Sequence, residues 1–201
     1  MLREQHSIKR LSEALFSPKV WLLSYFCIVI GMYGIALWLP QIIKDISEFS
    51  EIGIGVVSAI PYLLAALVMT IVGYNSDRTG ERRLHTAGSI FLASIGLIWA
   101  ACSVSPTMQI AALCLAAMGI WGTLGPFWAL STSFLAGSAA AGGIALINSI
   151  GNLGGFIGPY LVGVIKEMTG SFKYALTALS LIILLGMAMV FLIKLNENKE
   201  T

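Results

Sequence analysis

Six apolar runs separated by short polar stretches organise this chain, at roughly residues 20–43, 52–74, 84–103, 107–132, 139–165 and 172–193. About 20 helical residues cross the ~30 Å of hydrocarbon in a bilayer. Each run is long enough, and only a helix satisfies its own backbone hydrogen bonds within one crossing segment. The pattern predicts an all-α membrane protein of six transmembrane helices.

Composition agrees. The chain is 57% hydrophobic and 11% charged, whereas a soluble domain carries about 25% charged residues. The net charge of +2 gives no footing for a nucleic-acid partner. Cys27, Cys102 and Cys114 lie inside apolar runs, without metal-ligand spacing to His6 or His85, and read as small packing residues.

Charge placement sets the topology. Arg3, Lys9, Arg10, Lys19, Arg78, Arg82, Arg83, Lys194 and Lys199 fall on one side of the six runs, and Lys44, Lys166 and Lys173 on the other. The positive-inside rule then puts both termini in the cytoplasm of a multi-pass plasma (inner) membrane protein. Residues 1–18 are polar, lack a secretory leader pattern, and read as a cytoplasmic segment. Residues 19–201 form the six-helix bundle.

The chain also echoes itself. Val72 to Gly80, VGYNSDRTG, recurs as VGVIKEMTG from Val162 to Gly170, and Gly31-Met32-Tyr33-Gly34 resembles Gly119-Ile120-Trp121-Gly122 at nearly the same offset. Both echoes imply a three-helix unit used twice. Because three is odd, the second copy is inverted relative to the first, an arrangement found in alternating-access transporters.

The loop after the second run reads Gly73-Tyr74-Asn75-Ser76-Asp77-Arg78-Thr79-Gly80-Glu81-Arg82-Arg83. This G-x-x-x-D-R-x-G-x-R-R pattern resembles the signature loop of the major facilitator superfamily, which implies half of a major facilitator fold and a gating role for Gly73, Asp77, Arg78, Gly80, Arg82 and Arg83. Physically, Gly73 permits close approach of a neighbouring helix, Gly80 permits the sharp reversal, and Asp77 can accept from amides at the start of a helix. The arginines also serve as topology anchors.

A narrower resemblance follows. Pro126-Phe127-Trp128-Ala129-Leu130-Ser131-Thr132 and the run from Asn148 to Tyr160 are similar to the tenth and eleventh helices of the anion:cation symporter family, and Trp38 to Lys44, Ala59 to Tyr62 and Ser76 to Arg83 fit the same family. The resemblance implies the C-terminal six-helix half of a symporter for tartrate, phthalate or sugar-acid anions, coupled to a proton. It makes residues 1–18 a remnant of the central loop. The N-terminal half would carry the substrate-binding Arg and the coupling acidic residues.

Asn148 and Asn152 are four residues apart and share one helix face. Carboxamides in hydrocarbon need partners or a watery cavity, so the pair is a candidate substrate contact, with interhelical bonding as the structural alternative. Trp128, Ser131 and Tyr33 are further candidates for the cavity wall, as is Trp121. Gly151 with Gly155 and Gly154 with Gly158 have the spacing of close helix packing. No Asp, Glu, Lys or Arg lies within the depth of any run, although anion binding and proton coupling normally call on intramembrane ionisable groups.

These features predict a secondary transporter half with a lipid bilayer, a small organic anion, a coupling cation and an N-terminal six-helix half as partners. The alternative is a non-transporting membrane module that associates with or regulates a full-length transporter. No nucleophile with a base, metal cluster or cofactor-binding motif is recognisable, so the chain does not read as an enzyme.

Overall fold

The computed structural model describes residues 18–134 and 138–192. Eight helices are present among them: α1 (Pro18–Ile46), α2 (Glu51–Thr79), α3 (Arg82–Cys102), α4 (Pro106–Gly122), α5 (Leu124–Phe134), α6 (Ser138–Asn152), α7 (Gly154–Thr169) and α8 (Phe172–Leu192). α4 with α5, and α6 with α7, are single crossings interrupted near mid-depth, so six spans remain. The shortest, 21 residues in α3 and α8, still reach about 32 Å at 1.5 Å per residue. Residues 1–17 and the basic residues beyond Leu192 lie outside the described residues, and with them most of the proposed cytoplasmic segment.

Helix ends are set by local chemistry that hydropathy does not register. α1, α2 and α7 continue past their apolar runs to Ile46, Thr79 and Thr169, because polar residues at a span end still make intrahelical bonds. α2 starts where Ser50 Oγ accepts from Gly53 N at 3.2 Å and stops at Gly80, whose φ of 69° is left-handed. α3 is capped by Glu81, whose carboxylate accepts from Leu84 N at 2.8 Å; side-chain oxygens there satisfy amides that have no intrahelical acceptor.

Both interruptions have identifiable causes. Pro126 offers no N–H to the Gly122 carbonyl four residues back, and its ring crowds that carbonyl. The break falls at Thr123, whose N–H and hydroxyl both still donate one turn back to Gly119 O, at 3.2 and 2.9 Å. The second break lies in the glycine-rich stretch around Leu153. There Leu153 N donates to Ile150 O, and Phe156 N to Leu153 O, each at 3.1 Å, a tighter i to i−3 pattern than the α-helix.

The packing has two-fold symmetry. α1 lies against α7 and α8, α4 lies against α2 and α3, and α3 and α8 pack on each other. Gly31 faces Ile183 of α8, while its counterpart Gly119 faces Ala93 of α3. Gly80 and Gly170, the two ends of the sequence echo, are the only residues with positive φ among those described, at 69° and 72°. Where α3 packs on α8, Ser94 Oγ and Ser180 Oγ lie 2.6 Å apart and both are buried. Ser180 Oγ donates onward to Ser94 O at 3.2 Å, so the contact joins the two repeats. The fold is therefore two inverted three-helix repeats, as the echoes imply.

Contacts at the helix crossings are backbone-close. A Cβ at Gly158 would sit 2.3 Å from Ile30 O and 3.1 Å from Gly34 N, joining α7 to α1; one at Gly96 would sit 2.4 Å from Ala116 N, joining α3 to α4. Without a hydrophobic drive between helices in lipid, such small residues create contact area and bring dispersion attraction. The second and fifth spans are the least covered: 22% of the apolar window of each is buried, against 56% for the first and third. α2 presents Ile52, Val56, Ile60, Leu63, Leu67 and Ile71 outward in one stripe.

Candidate functional site

Along α1, aromatic residues at Trp21, Tyr25 and Tyr33 recur at helical spacing and meet α5, α6 and the start of α7. Gly151 lets the Tyr25 ring lie directly on α6, since a Cβ there would fall 2.0 Å from the ring. Gly155 does the same for Tyr33, at 3.2 Å. Tyr25 stacks on Phe127 with centroids 5.3 Å apart and meets Trp128 edge-on at 4.9 Å. The glycines expected to serve helix packing therefore do so in two ways: Gly154 and Gly158 against backbone, Gly151 and Gly155 against tyrosine rings.

Asn148 and Asn152 stand on the exposed side of this aromatic group. Asn152 Nδ2 donates to Asn148 O at 2.8 Å and to Asn148 Oδ1 at 3.0 Å. The Tyr25 hydroxyl donates to the same Oδ1 across the α1–α6 contact, at 3.5 Å. Tyr33 is 36% exposed nearby on α1, and Trp128 is half-buried. Four of the five expected residues thus share an open wall formed by α1, α5, α6 and the start of α7.

Ser131 does not join it. Its side chain is 1% exposed and its hydroxyl donates to Phe127 O at 2.8 Å, so it is turned into the bundle with its proton already engaged. A polar side chain in an apolar helix readily bonds the carbonyl one turn back, and its sequence position alone does not reveal which way it turns. Trp121 likewise packs edge-on against Tyr62, 5.3 Å between centroids. Tyr25 was missed in the sequence. The available signal was the Trp21, Tyr25 and Tyr33 stripe, which reads equally well as core.

The loop between α2 and α3 is held by short-range bonds. Asp77 pairs with Arg82 at 3.2 Å on the exposed side, and Arg78 is exposed in the last turn of α2. Arg83 reaches α8, where its guanidinium donates to Phe191 O and lies 5.2 Å from the Phe191 ring centroid. A cation at a helix C-terminus is favoured by the dipole there. Gly80 supplies the expected reversal; a Cβ at Gly73 would meet nothing within 4 Å, while the Gly73 Cα lies 3.8 Å from where a Cβ on Gly125 of α5 would sit. α2 and α3 splay apart at this end and leave an apolar groove of about 440 Å³ lined by Val68, Val72, Leu84, His85, Gly88, Ser89 and Leu92.

At the opposite end Lys166 binds Asp45 at 2.8 Å and Gly170 O at 3.1 Å, and its ammonium lies 4.4 Å from the Phe172 ring centroid. That contact ties α7 to α1 across the two repeats. Among the described residues, every Asp, Glu, Lys and Arg lies at a span end or in a loop.

The sequence profile of the Major Facilitator Superfamily matches residues 3–159. The chain belongs to that superfamily. A relative from Agrobacterium vitis, named for tartrate transport, is 41% identical over 177 residues, covering 88% of this chain and 39% of the relative. A quinolone resistance transporter of Acinetobacter baumannii is 38% identical over 191 residues, 93% of this chain and 44% of that protein. The inner membrane transport protein RhmT of Escherichia coli (strain K12) is 34% identical over 198 residues, 97% and 46% of the two chains. The chain therefore spans less than half the length of these superfamily relatives, and its relatives are transporters rather than enzymes.

Proposed function

We propose that this superfamily member acts as the C-terminal half of a secondary active transporter for small organic anions, working by alternating access with a proton as the coupling ion. The observation that carries the proposal is the exposed amide pair Asn148 and Asn152 beside Tyr33, backed by the buried Tyr25, whose hydroxyl reaches Asn148 Oδ1. It lies beside α6 and α7, in one of the two least covered spans. A second six-helix unit over α2, α6 and α7 would enclose that wall near mid-depth, where transporters of this architecture bind substrate. The wall supplies neutral hydrogen-bonding groups, so the cationic and titratable groups for an anion and a proton come from the covering half. The relative named for tartrate transport favours an organic acid. The Arg-rich α2–α3 loop favours the cytoplasmic side for that end of the bundle, hence both termini in the cytoplasm of the inner membrane.

Uptake of labelled organic acids into membrane vesicles tests this, comparing the chain alone with the chain co-expressed with the N-terminal half of the Agrobacterium vitis relative. Uptake by the pair only, increased by an inward proton gradient, is the expected result. Saturable uptake by the chain alone would overturn the assignment of the charges to a second half. Association with an intact carrier without flux in either arrangement would favour a regulatory module.

A further inference from the structure

The groove between α2 and α3 lies on elements other than those that carry the amide pair. Its lining runs from Leu84 to Leu92 along α3, about 12 Å at 1.5 Å per residue, so it covers most of one leaflet's share of the ~30 Å of hydrocarbon. Its floor is α4 at Gly122, where a Cβ would lie 3.5 Å from Ser89 Oγ and 3.6 Å from Val68 Cγ1. It is open at Gly88, where a Cβ would meet nothing within 4 Å. Of its polar side chains, Ser89 is buried and His85 Nδ1 is bonded to Glu81 O, so the surface left for an occupant is mainly hydrocarbon. The mouth, in contrast, is cationic. Arg78 lies in the last turn of α2 and Arg82 is the first residue of α3. Asp77 neutralises Arg82 at 3.2 Å, Arg83 is held by Phe191 O on α8, and the Glu81 carboxylate caps Leu84 N. Arg78 is exposed and has no ion pair among the described residues. It follows Ile71, Leu67 and Ile60 by 7, 11 and 18 residues, a spacing that puts all four on one helix face, and those three apolar side chains are exposed.

We infer that this groove takes one acyl chain of an anionic phospholipid, with the lipid's phosphate on Arg78. A phosphate oxygen accepts from the guanidinium in a charge-assisted bond, and basic pockets between membrane helices bind acidic lipid head groups. A zwitterionic head group brings a cation of its own beside Arg78, so the anionic one is preferred. A protein helix fits the groove less well. Leu84, Phe91 and Ile95 on α3, and Leu67 and Ile71 on α2, are large and exposed around it, whereas helices in lipid meet over small residues. The inference does not depend on which solute the chain carries.

The test titrates dioleoyl phosphatidylglycerol or dioleoyl phosphatidylcholine onto the purified, delipidated full chain in a mild detergent, and native mass spectrometry reads the lipid retained. One phosphatidylglycerol per chain is expected, held about fivefold more tightly than phosphatidylcholine, the increment of one Arg beside an anionic lipid. Arg78→Gln is expected to bring the two lipids to about equal affinity. Gly88→Leu, which fills the open groove, is expected to weaken both roughly tenfold, while Gly55→Leu, at an equally open position outside the groove, is expected to change neither. Inorganic phosphate in large excess is expected to leave the lipid in place, because it has no chain for the groove. Equal retention of the two lipids by the unmodified chain overturns the inference. So does a preference that survives Arg78→Gln, tight binding that survives Gly88→Leu, or displacement by phosphate. Loss of the bound lipid on co-expression with the N-terminal half of the Agrobacterium vitis relative would assign the groove to a helix of that half, and overturns it as well. The preference of the unmodified chain, and its loss in the surface variant Arg78→Gln, stand by themselves if the Gly88 variant fails to fold.

Discussion

Replacing Gly158 by Ala would test how closely α1 and α7 depend on each other. The added Cβ would lie 2.3 Å from Ile30 O and 3.1 Å from Gly34 N, whereas carbon and carbonyl oxygen settle at about 3.3 Å or beyond. Both neighbours are backbone, so relief comes only from moving the helices apart by about 1 Å. Overpacking of this kind costs about 1–3 kcal/mol, and the better helix propensity of Ala returns just under 1 kcal/mol of it. The net loss of up to about 2 kcal/mol corresponds to a fall of up to roughly 8 °C in Tm for a domain of this size, and the full ~1–3 kcal/mol separates this variant from a glycine-to-alanine change that meets no neighbour. Thermal unfolding of the purified chain in a mild detergent, followed by tryptophan fluorescence, reads it. Gly142→Ala and Gly55→Ala are the controls, since a Cβ at either meets nothing within 4 Å, and both should melt at or slightly above the unmodified chain. A Gly158→Ala variant that melts with these controls would refute backbone-close packing of α1 on α7.

Two further predictions concern how the repeats hold together. Ser94→Ala or Ser180→Ala alone should destabilise by about 1 kcal/mol, because each leaves a buried hydroxyl without its partner, while the double variant should cost less than the sum; additive losses in the same melting assay would show that the pair is not coupled. Arg83→Ala should lower Tm by a few degrees by releasing the Phe191 carbonyl and ring, at about 1–2 kcal/mol for a charge-assisted bond in a half-exposed setting, and Arg83→Lys should recover only part of it because the planar fork is lost. Full recovery by Lys would mean that charge alone matters there.

The spans were legible in the sequence because the bilayer imposes one rule on every residue within it, and the six runs obey that rule. The inverted repeat was legible for a different reason. Gly80 and Gly170 both adopt a backbone conformation that favours glycine, so the echo at those positions reflects shared geometry. The interruptions at Thr123 and Leu153 were not read, although Pro126 and the glycines around Leu153 are visible, because a proline within a membrane helix is often accommodated without a break. The amide pair was visible from its spacing, since i and i+4 positions share a face. Its partner Tyr25 was not, because the contact joins α1 to α6 across 123 positions of chain. Ser131 illustrates the remaining limit: a hydroxyl in an apolar helix looks the same in sequence whether it faces a cavity or its own backbone.

The glycines at the helix crossings bear on how such a molecule could arise. If the two repeats descend from one three-helix ancestor that paired with its own copy upside down, Gly31 and Gly119 were once a single codon, as were Ile183 and Ala93, which face them. In that ancestor one change to glycine made room for a neighbouring helix in both subunits at once. With both repeats in one chain each crossing changes by itself, and one glycine now meets an isoleucine side chain while the other meets the backbone of an alanine.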